Sequence, residues 1–268
     1  MTVTFLGTGT SQGVPVIACD CEVCRSTDRH DKRLRTSVMI EDGEKVIVID
    51  SGPDFRYQML REKVQRLDAI VFTHEHKDHI AGLDDIRAFN YKQQGPIDVY
   101  ATLRVQEALK REFFYIFAEF KYPGIPQLTL HTIDKELFTI GALKFIPIEV
   151  MHYKLPVLGF RVNDFTYITD AKTVSPEEIQ KIRGTRILVI NALQKQNHIS
   201  HFTLDEAIAF ARDIGAEKTY FTHISHRLGK HADISKTLPP GIELAYDGLR
   251  IEISPKVSKV RKSERRCD

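Results

Sequence analysis

The run His74-x-His76-x-Asp78-His79 places three imidazoles and a carboxylate within six positions. That would be an odd way to build a hydrophobic core, but imidazole and carboxylate are ligands of first-row divalent metals. A loop this tight cannot aim four side chains at one ion without strain, so the spacing points to two ions sharing the group, with further ligands from elsewhere. Candidates recur where apolar strands end: Asp50, His74, His152, Asp170 and His223. Strand ends that share one rim of a sheet can converge on a single site. Two ions about 3.5–4 Å apart can supply a bridging hydroxide as nucleophile and offset the charge of a phosphoryl group in transit. A mixed imidazole and carboxylate set suits Zn or Mn better than Mg, which prefers oxygen alone.

A second group is Cys19-Asp-Cys21-Glu-Val-Cys24, with a fourth cysteine, Cys267, next to the last residue. The N-terminus shows no basic, apolar leader pattern, so the cytoplasm is the expected compartment. Thiols there stay reduced, and the cluster reads as metal-binding or redox-active before it reads as a disulfide. Cys267 reads as an ordinary tail thiol.

The elements that must position these groups alternate between strand and helix. Thr2–Leu6 is a strand entering a Gly/Thr/Ser loop. Ser37–Glu41 and Val46–Asp50 flank Asp42-Gly43, and Leu158–Val162 and Phe165–Thr169 flank Asn163-Asp164; both are hairpin signals. Asp68–Phe72, Leu128–His131, Leu137–Ile140, Leu143–Met151, Arg186–Ile190, Lys218–Thr222, Ile242–Leu244 and Leu249–Ile253 read as strands. Phe55–Lys63, His79–Tyr91 and Leu103–Phe117 read as helices. So do Pro176–Ile182, with Ser175 as N-cap and Pro176 at the first position, and the segment to Asp213 that opens on the capping box Thr203-x-x-Glu206. Strands followed by βα units, then the same again, predict two mixed sheets with helices outside.

The composition, 42% hydrophobic and 28% charged, is that of a soluble globular protein. No apolar run approaches the roughly 20 residues that a membrane span needs. Net charge is +2, but residues 255–268 carry six basic and two acidic side chains. The body, 1–254, therefore holds 32 basic against 34 acidic residues and has no bulk electrostatic reason to hold nucleic acid. The tail reads as a solvated, disordered end, with contact to RNA or phosphate as the alternative.

The metal-ligand run resembles the first motif of the metallo-β-lactamase superfamily, and the similarity extends to about residue 253. The opening Phe5-Leu-Gly-Thr-Gly-Thr-Ser-Gln-Gly-Val-Pro15, the cluster Cys19-x-Cys21-x-x-Cys24 and Thr222-His-Ile-Ser-His226 narrow it to the PhnP-type phosphodiesterases, a branch related to the tRNA 3′-processing endonucleases. The resemblance implies an α/β fold, a four-layer αββα sandwich, with residues 1–254 as one hydrolase domain. It implies that His74, His76 and His152 bind one metal, that Asp78, His79 and His223 bind a second, and that Asp170 bridges them. It implies further that Asp50 orients a ligand histidine and that His201 serves as general acid or phosphate contact. The cofactors would be two Mn or Zn ions. Cys19, Cys21, Cys24 and His226, three residues beyond His223, would close a tetrahedral structural zinc site; ordinary thiols or a Cys21/Cys24 redox pair are the alternative.

The expected activity is hydrolysis of a small phosphodiester, cyclic or open, with Asp78 and His201 as catalytic residues. A tRNA 3′-processing-type endonuclease and a hydrolase of another ester class are the alternatives. The body charge and the lack of a long arm insertion disfavour nucleic acid, and no membrane partner is expected. A non-catalytic or redox metalloprotein fits poorly, because no ligand of the first motif has been lost. Gly7-x-Gly9-x-x-x-Gly13 misses the dinucleotide fingerprint by one residue and reads as a tight loop beside the metals. His198 competes with His201 for the catalytic position. His30, His131 and His231 read as surface residues, and Arg33 and Arg35 as a solvated face, with a phosphate contact as the alternative. The aromatic run Phe113–Tyr122 reads as core packing or as a lid or homodimer contact.

Overall fold

Strands that are apolar at every position must be covered on both faces, and this chain does so by stacking two sheets and flanking them with helices. The computed structural model describes residues 1–120 and 122–254. One sheet contains β1 (Thr2–Gly7), β2 (Ser37–Asp42), β3 (Lys45–Ile49), β4 (Ala69–Val71), β5 (Ile97–Ala101) and β6 (Leu128–Thr132) in that spatial order. The other contains β7 (Phe138–Ile140), β8 (Leu143–His152), β9 (Leu155–Val162), β10 (Phe165–Tyr167), β11 (Thr173–Val174), β12 (Ile187–Asn191), β13 (Lys218–Thr222) and β14 (Ile242–Leu244). The last strand, β15 (Arg250–Glu252), returns to the first sheet and pairs antiparallel with β1. β3 to β6 run parallel, as do β10, β12, β13 and β14, while β8 to β10 form an antiparallel meander.

Alternation along each strand decides which core a side chain enters. In β3, Ile47 and Ile49 point between the sheets, where they meet Phe5, Phe145, Phe160 and Tyr167. Val48 points the other way and packs with Phe55, Phe89 and Leu109. These come from α1 (Phe55–Arg61), α3 (Arg87–Gln93) and α4 (Leu103–Glu112), which cover the first sheet; α2 (Lys77–Ile80) lies between α1 and α3 in the chain. The second sheet is covered by α6 (Pro176–Ile182) and α7 (Leu204–Ile214) through Ile182, Leu204, Ala207 and Ala211. The result is the expected four-layer αββα sandwich. The capping box of Thr203 and Glu206, the Ser175 cap and the two hairpins also form as the sequence predicts.

Several expectations are corrected. The single helix expected over His79–Tyr91 is three pieces: α2, a 3₁₀ turn at Leu83–Ile86, and α3. Gly82 is the break. Its N–H donates to Ser51 O at 2.8 Å instead of continuing the helical ladder, and a Cβ there would lie 2.2 Å from Gly52 O. The helix expected over Leu103–Phe117 stops at Phe113 (φ −118°, ψ 43°) before a single turn, α5 (Phe114–Phe117). Strands β5 and β11 and the short helix α8 (His231–Ser235) were not expected. The aromatic run divides: Phe113 and Ile116 are buried, whereas Phe114, Phe120 and Tyr122 are exposed.

Arg33 is not on a solvated face. It is buried, and its guanidinium donates to Thr8 Oγ1 (2.8 Å) and Ala245 O (2.6 Å). His30 and His231 are half-buried and stack on each other with centroids 4.9 Å apart, and His131 is half-buried and paired with Asp98. Among the described residues no helix is long and apolar enough to cross a membrane. The basic segment 255–268 and Cys267 lie outside the described residues.

Candidate metal centre

Parallel strands leave their carboxyl ends on one rim, and ligands gather outside that rim. Asp50 follows β3, Thr73 and His74 follow β4, His152 ends β8, Asp170 follows β10 and His223 follows β13. β8 joins this set because two antiparallel steps, through β9, make it parallel to β10. Asp50, Asp170 and His223 all take left-handed backbone conformations (φ 65°, 57° and 55°), turning the chain sharply off the strand. His76 occupies the N-cap position of α2, and His79 lies within that helix. The loop is held down by glycine: a Cβ at residue 52 would sit 2.0 Å from the carbonyl oxygen of Asp78.

The side chains converge. Asp170 Oδ2 is 3.3 Å from His79 Nε2 and 3.4 Å from His223 Nδ1, and Asp78 Oδ2 is 3.2 Å from the same His79 nitrogen. Candidate ligand atoms of Asp78, His79 and His223 lie within 4.8 Å of one another, as do those of His74, His79 and Asp170. His74 Nε2 is 3.0 Å from His76 Nδ1, and the ring of His152 is 5.2 Å from that of His76 and 5.9 Å from that of His74. Every residue expected to serve as an active-site ligand is thus in one cluster. Behind them, Asp50 faces a ligand histidine, as the resemblance implies, and the threonine and serine contacts are ones the sequence does not signal. Asp50 accepts from His79 Nδ1 (2.7 Å), Thr73 N–H (2.8 Å) and Thr73 Oγ1 (2.8 Å). Thr10 faces His223 Nε2, and the Ser200 carbonyl accepts from His152 Nδ1 at 2.9 Å. Threonine at positions 10 and 73 and serine at 200 carry no sequence signal beyond adjacency to a candidate ligand or glycine loop.

The electrostatics suit a cation. His79 is buried among Asp50, Asp78 and Asp170; burial alone would lower its pKa, but the three carboxylates raise it well above the usual histidine range. Burial likewise raises Asp170, and His223 and His79 reverse this, leaving its carboxyl well below the usual range. Burial pushes His74 and His223 down, which keeps them as neutral lone-pair donors. His79 Nε2 is buried and lacks a hydrogen-bond partner, although two carboxylates approach it. A buried nitrogen facing two carboxylates, with its Nδ1 fixed by a third, is the donor arrangement of a metal-ligating histidine. The residues therefore fit divalent ions of the Zn or Mn type.

His201 offers a ligand atom to the group with His152 and Asp170, whereas His198 is in no such group and lies beside His201, ring centroids 5.1 Å apart. His201 Nδ1 is 3.8 Å from Asp170 Oδ1, and its ring lies 4.5 Å from His152 and 4.8 Å from His223. Burial lowers its pKa to about 2, so the imidazole is neutral. Beside the cluster, a cavity of about 430 Å3 opens among His76, Arg104, His152, Tyr153, Lys154 and Ile199.

The cysteine cluster meets His226, as the resemblance implies. Cys19, Cys21 and Cys24 Sγ lie 3.2, 3.4 and 3.5 Å from His226 Nδ1. Tetrahedral zinc with ordinary bond lengths would set each S···N separation at roughly 3.6 Å. The Cys24 N–H points at Cys21 Sγ and helps lower that thiol to about 6, whereas burial pushes Cys24 up to about 11.

Residues 45–224 match the family described as the beta-lactamase superfamily domain. A crystal structure described as a new diphosphatase from the PhnP family superimposes with a TM-score of 0.89 at 42% identity, covering 94% of this chain and 98% of that one. A protein of Porphyromonas gingivalis named octanoyltransferase is 39% identical over 98% of this chain and 54% of its own length. A ribonuclease Z of Crocosphaera subtropica is 29% identical over 60% of this chain and 47% of its own. The chain thus spans about half the length of these curated relatives.

Proposed function

The chain belongs to the metallo-β-lactamase superfamily, and from that premise we propose that it hydrolyses a phosphodiester bond of a small substrate, cyclic or open, with two divalent ions held in the rim cluster. The observation that carries this reading is the buried Asp170 carboxylate, which lies beside His79 and His223 and also groups with His74 and, separately, with His152, ligand atoms within 4.8 Å in each group. A carboxylate within reach of both ligand sets would serve both ions. His74, His76 and His152 would hold one, and Asp78, His79 and His223 the other; Zn and Mn both suit the donor set. When bound, such ions activate water as the nucleophile and offset phosphoryl charge.

The chain's own residues do the rest. Asp50 fixes the His79 ring so that Nε2 faces the centre. Ser200 does the same for His152 through Nδ1. His201, kept neutral by burial, serves best as an N–H donor to a phosphoryl or leaving-group oxygen, the phosphate-contact role of the two expected for it. The cavity beside the cluster, about 430 Å3, is in the range of small-molecule sites. The slightly acidic body gives no electrostatic grip on tRNA, which disfavours the endonuclease reading. Octanoyl transfer is the name of a protein nearly half of which has no counterpart in this chain. The cysteine clasp is read as a structural zinc site.

The test is hydrolysis of bis(p-nitrophenyl) phosphate by Zn- or Mn-loaded protein, with activity lost in Asp78→Ala and His79→Ala. A screen across cyclic nucleotides, cyclic sugar phosphates, diphosphates and tRNA precursors then ranks substrates. Opening of thioesters or lactams with phosphodiesters left intact would overturn the substrate class.

A further inference from the structure

Away from the metal cluster, the loop after β1, the segment from residue 29 to 34, α1 and the turn before β15 enclose a cavity of about 720 Å3 that contains no candidate metal ligand. Its walls include Arg29, Lys32, Arg33 and Arg61, with Tyr57 and Tyr246 as aromatic faces. Asp247 is the one acidic residue in the lining, and it is engaged: its carboxylate accepts from Thr8 Oγ1 and Leu34 N–H, each at 2.7 Å, and sits 3.6 Å from Arg61.

The remaining cations are not matched. Among the described residues, Arg29, Lys32 and Arg33 have no carboxylate within 4.0 Å, whereas ion pairs are common elsewhere on the molecule. For Arg29 and Lys32 solvent could explain this. For Arg33 it does not, because its side chain is only 4% exposed. Its guanidinium donates to Thr8 Oγ1, Ala245 O and, at 3.1 Å, His231 Nδ1; its Nε and the second Nη2 N–H find no acceptor among the described residues. Burial lowers its pKa, but only to about 10, so it stays charged. Asp247, Asp31 and Asp28 offset its charge only from beyond ion-pair distance, so no carboxylate occupies the guanidinium directly, and paired backbone bonds between Arg33 and Val14 (2.7 and 2.8 Å) hold it in place.

We propose that this cavity is a second ligand site, separate from the metal centre, which binds a phosphate group through Arg33, Arg29 and Lys32. Guanidinium forks match phosphate oxygens, and the two tyrosines would face whatever the phosphate is attached to. The shared chemistry is a phosphate monoester or free phosphate.

The chain contains no tryptophan, so Tyr57→Trp creates a single fluorescent reporter in the cavity. The experiment titrates the metal-loaded Tyr57→Trp protein with inorganic phosphate in one arm and phenyl phosphate in the other, at constant ionic strength. The expected result is a saturable change, weakened about tenfold or more in an added Arg29→Ala/Lys32→Ala background, since two charge-assisted contacts are lost. Bis(p-nitrophenyl) phosphate hydrolysis should be unchanged by these substitutions, which keeps the outcome independent of the proposed activity. Tighter phenyl phosphate would assign an organic phosphate, and equal affinities would assign the free ion. A response that does not saturate, that survives in the double variant or that matched sodium chloride reproduces would overturn the site.

Discussion

Asp50→Asn isolates the contribution of a residue that touches no metal. Asparagine is nearly isosteric with aspartate and, like it, tolerates the left-handed backbone that Asp50 adopts, so the change adds no backbone strain. It does alter which atoms donate. Oδ1 of Asp50 accepts from the Thr73 N–H, which cannot reorient, so the amide oxygen stays there. The amide NH2 then takes the place of Oδ2, facing Thr73 Oγ1 and His79 Nδ1. The hydroxyl can turn round and accept. His79 must accept as well, which moves its ring proton to Nε2, the atom that faces Asp78 and Asp170. The lone pair is thereby withdrawn from the metal centre. Losing such a partner costs about 10–100-fold in metal affinity or activity, about 1.4–2.7 kcal/mol. Metal titration of phosphodiester hydrolysis should show half-saturation shifted by that factor, with partial recovery at high metal, and ring-nitrogen NMR of His79 should report the exchanged tautomer. Half-saturation within twofold of the unaltered protein, with the tautomer unchanged, would refute the reasoning.

Three further outcomes follow from the geometry. Gly52→Ala should lower kcat/KM about 100-fold, because a Cβ 2.0 Å from Asp78 O must push the ligand loop by about 1 Å; more than a tenth of the original activity would contradict the packing. Cys21→Ser should release one tightly held Zn in elemental analysis. It would also open a cross-link closing about 200 residues, so Tm should fall by roughly 10 °C, from an upper bound near 5 kcal/mol; full zinc occupancy in this variant would sink the clasp. Finally, the carboxylates around His79 raise its pKa, so a proton competes with the metal to higher pH than at an ordinary histidine. Metal affinity, measured by chelator competition between about pH 6 and 9, should rise with pH by up to tenfold per unit for each proton displaced, and a flat profile would remove His79 from the ligand set.

Residue types and strand ends carried most of the site's information. Asp50, His74, His152, Asp170 and His223 each follow an apolar run, and parallel pairing puts such positions on one rim whatever the loops do. What was hidden depends on contacts between distant segments. Gly82 breaks a helix because Ser51 and Gly52 lie against it, and nothing near residue 82 announces that. Arg33 reads as a surface cation because its acceptors, Thr8 and Ala245, come from opposite ends of the chain. β5 was missed because Ile97–Ala101 is short and interrupted by Asp98 and Tyr100, so its alternation is clear only once β4 and β6 flank it.

The left-handed turns at Asp50, Asp170 and His223 also set the centre against its own scaffold. Each holds a non-glycine residue where most side chains would rather not be, at a cost of order 1 kcal/mol. Together that is a noticeable share of the 5–15 kcal/mol by which domains stay folded. Stability and activity therefore select for different residues at these three positions, and a search for hardier variants guided by folding alone would drift toward glycine there and lose the centre. The fold would outlive its chemistry, so a relative with the same architecture and altered residues at the three turns is best understood as a scaffold released from this conflict.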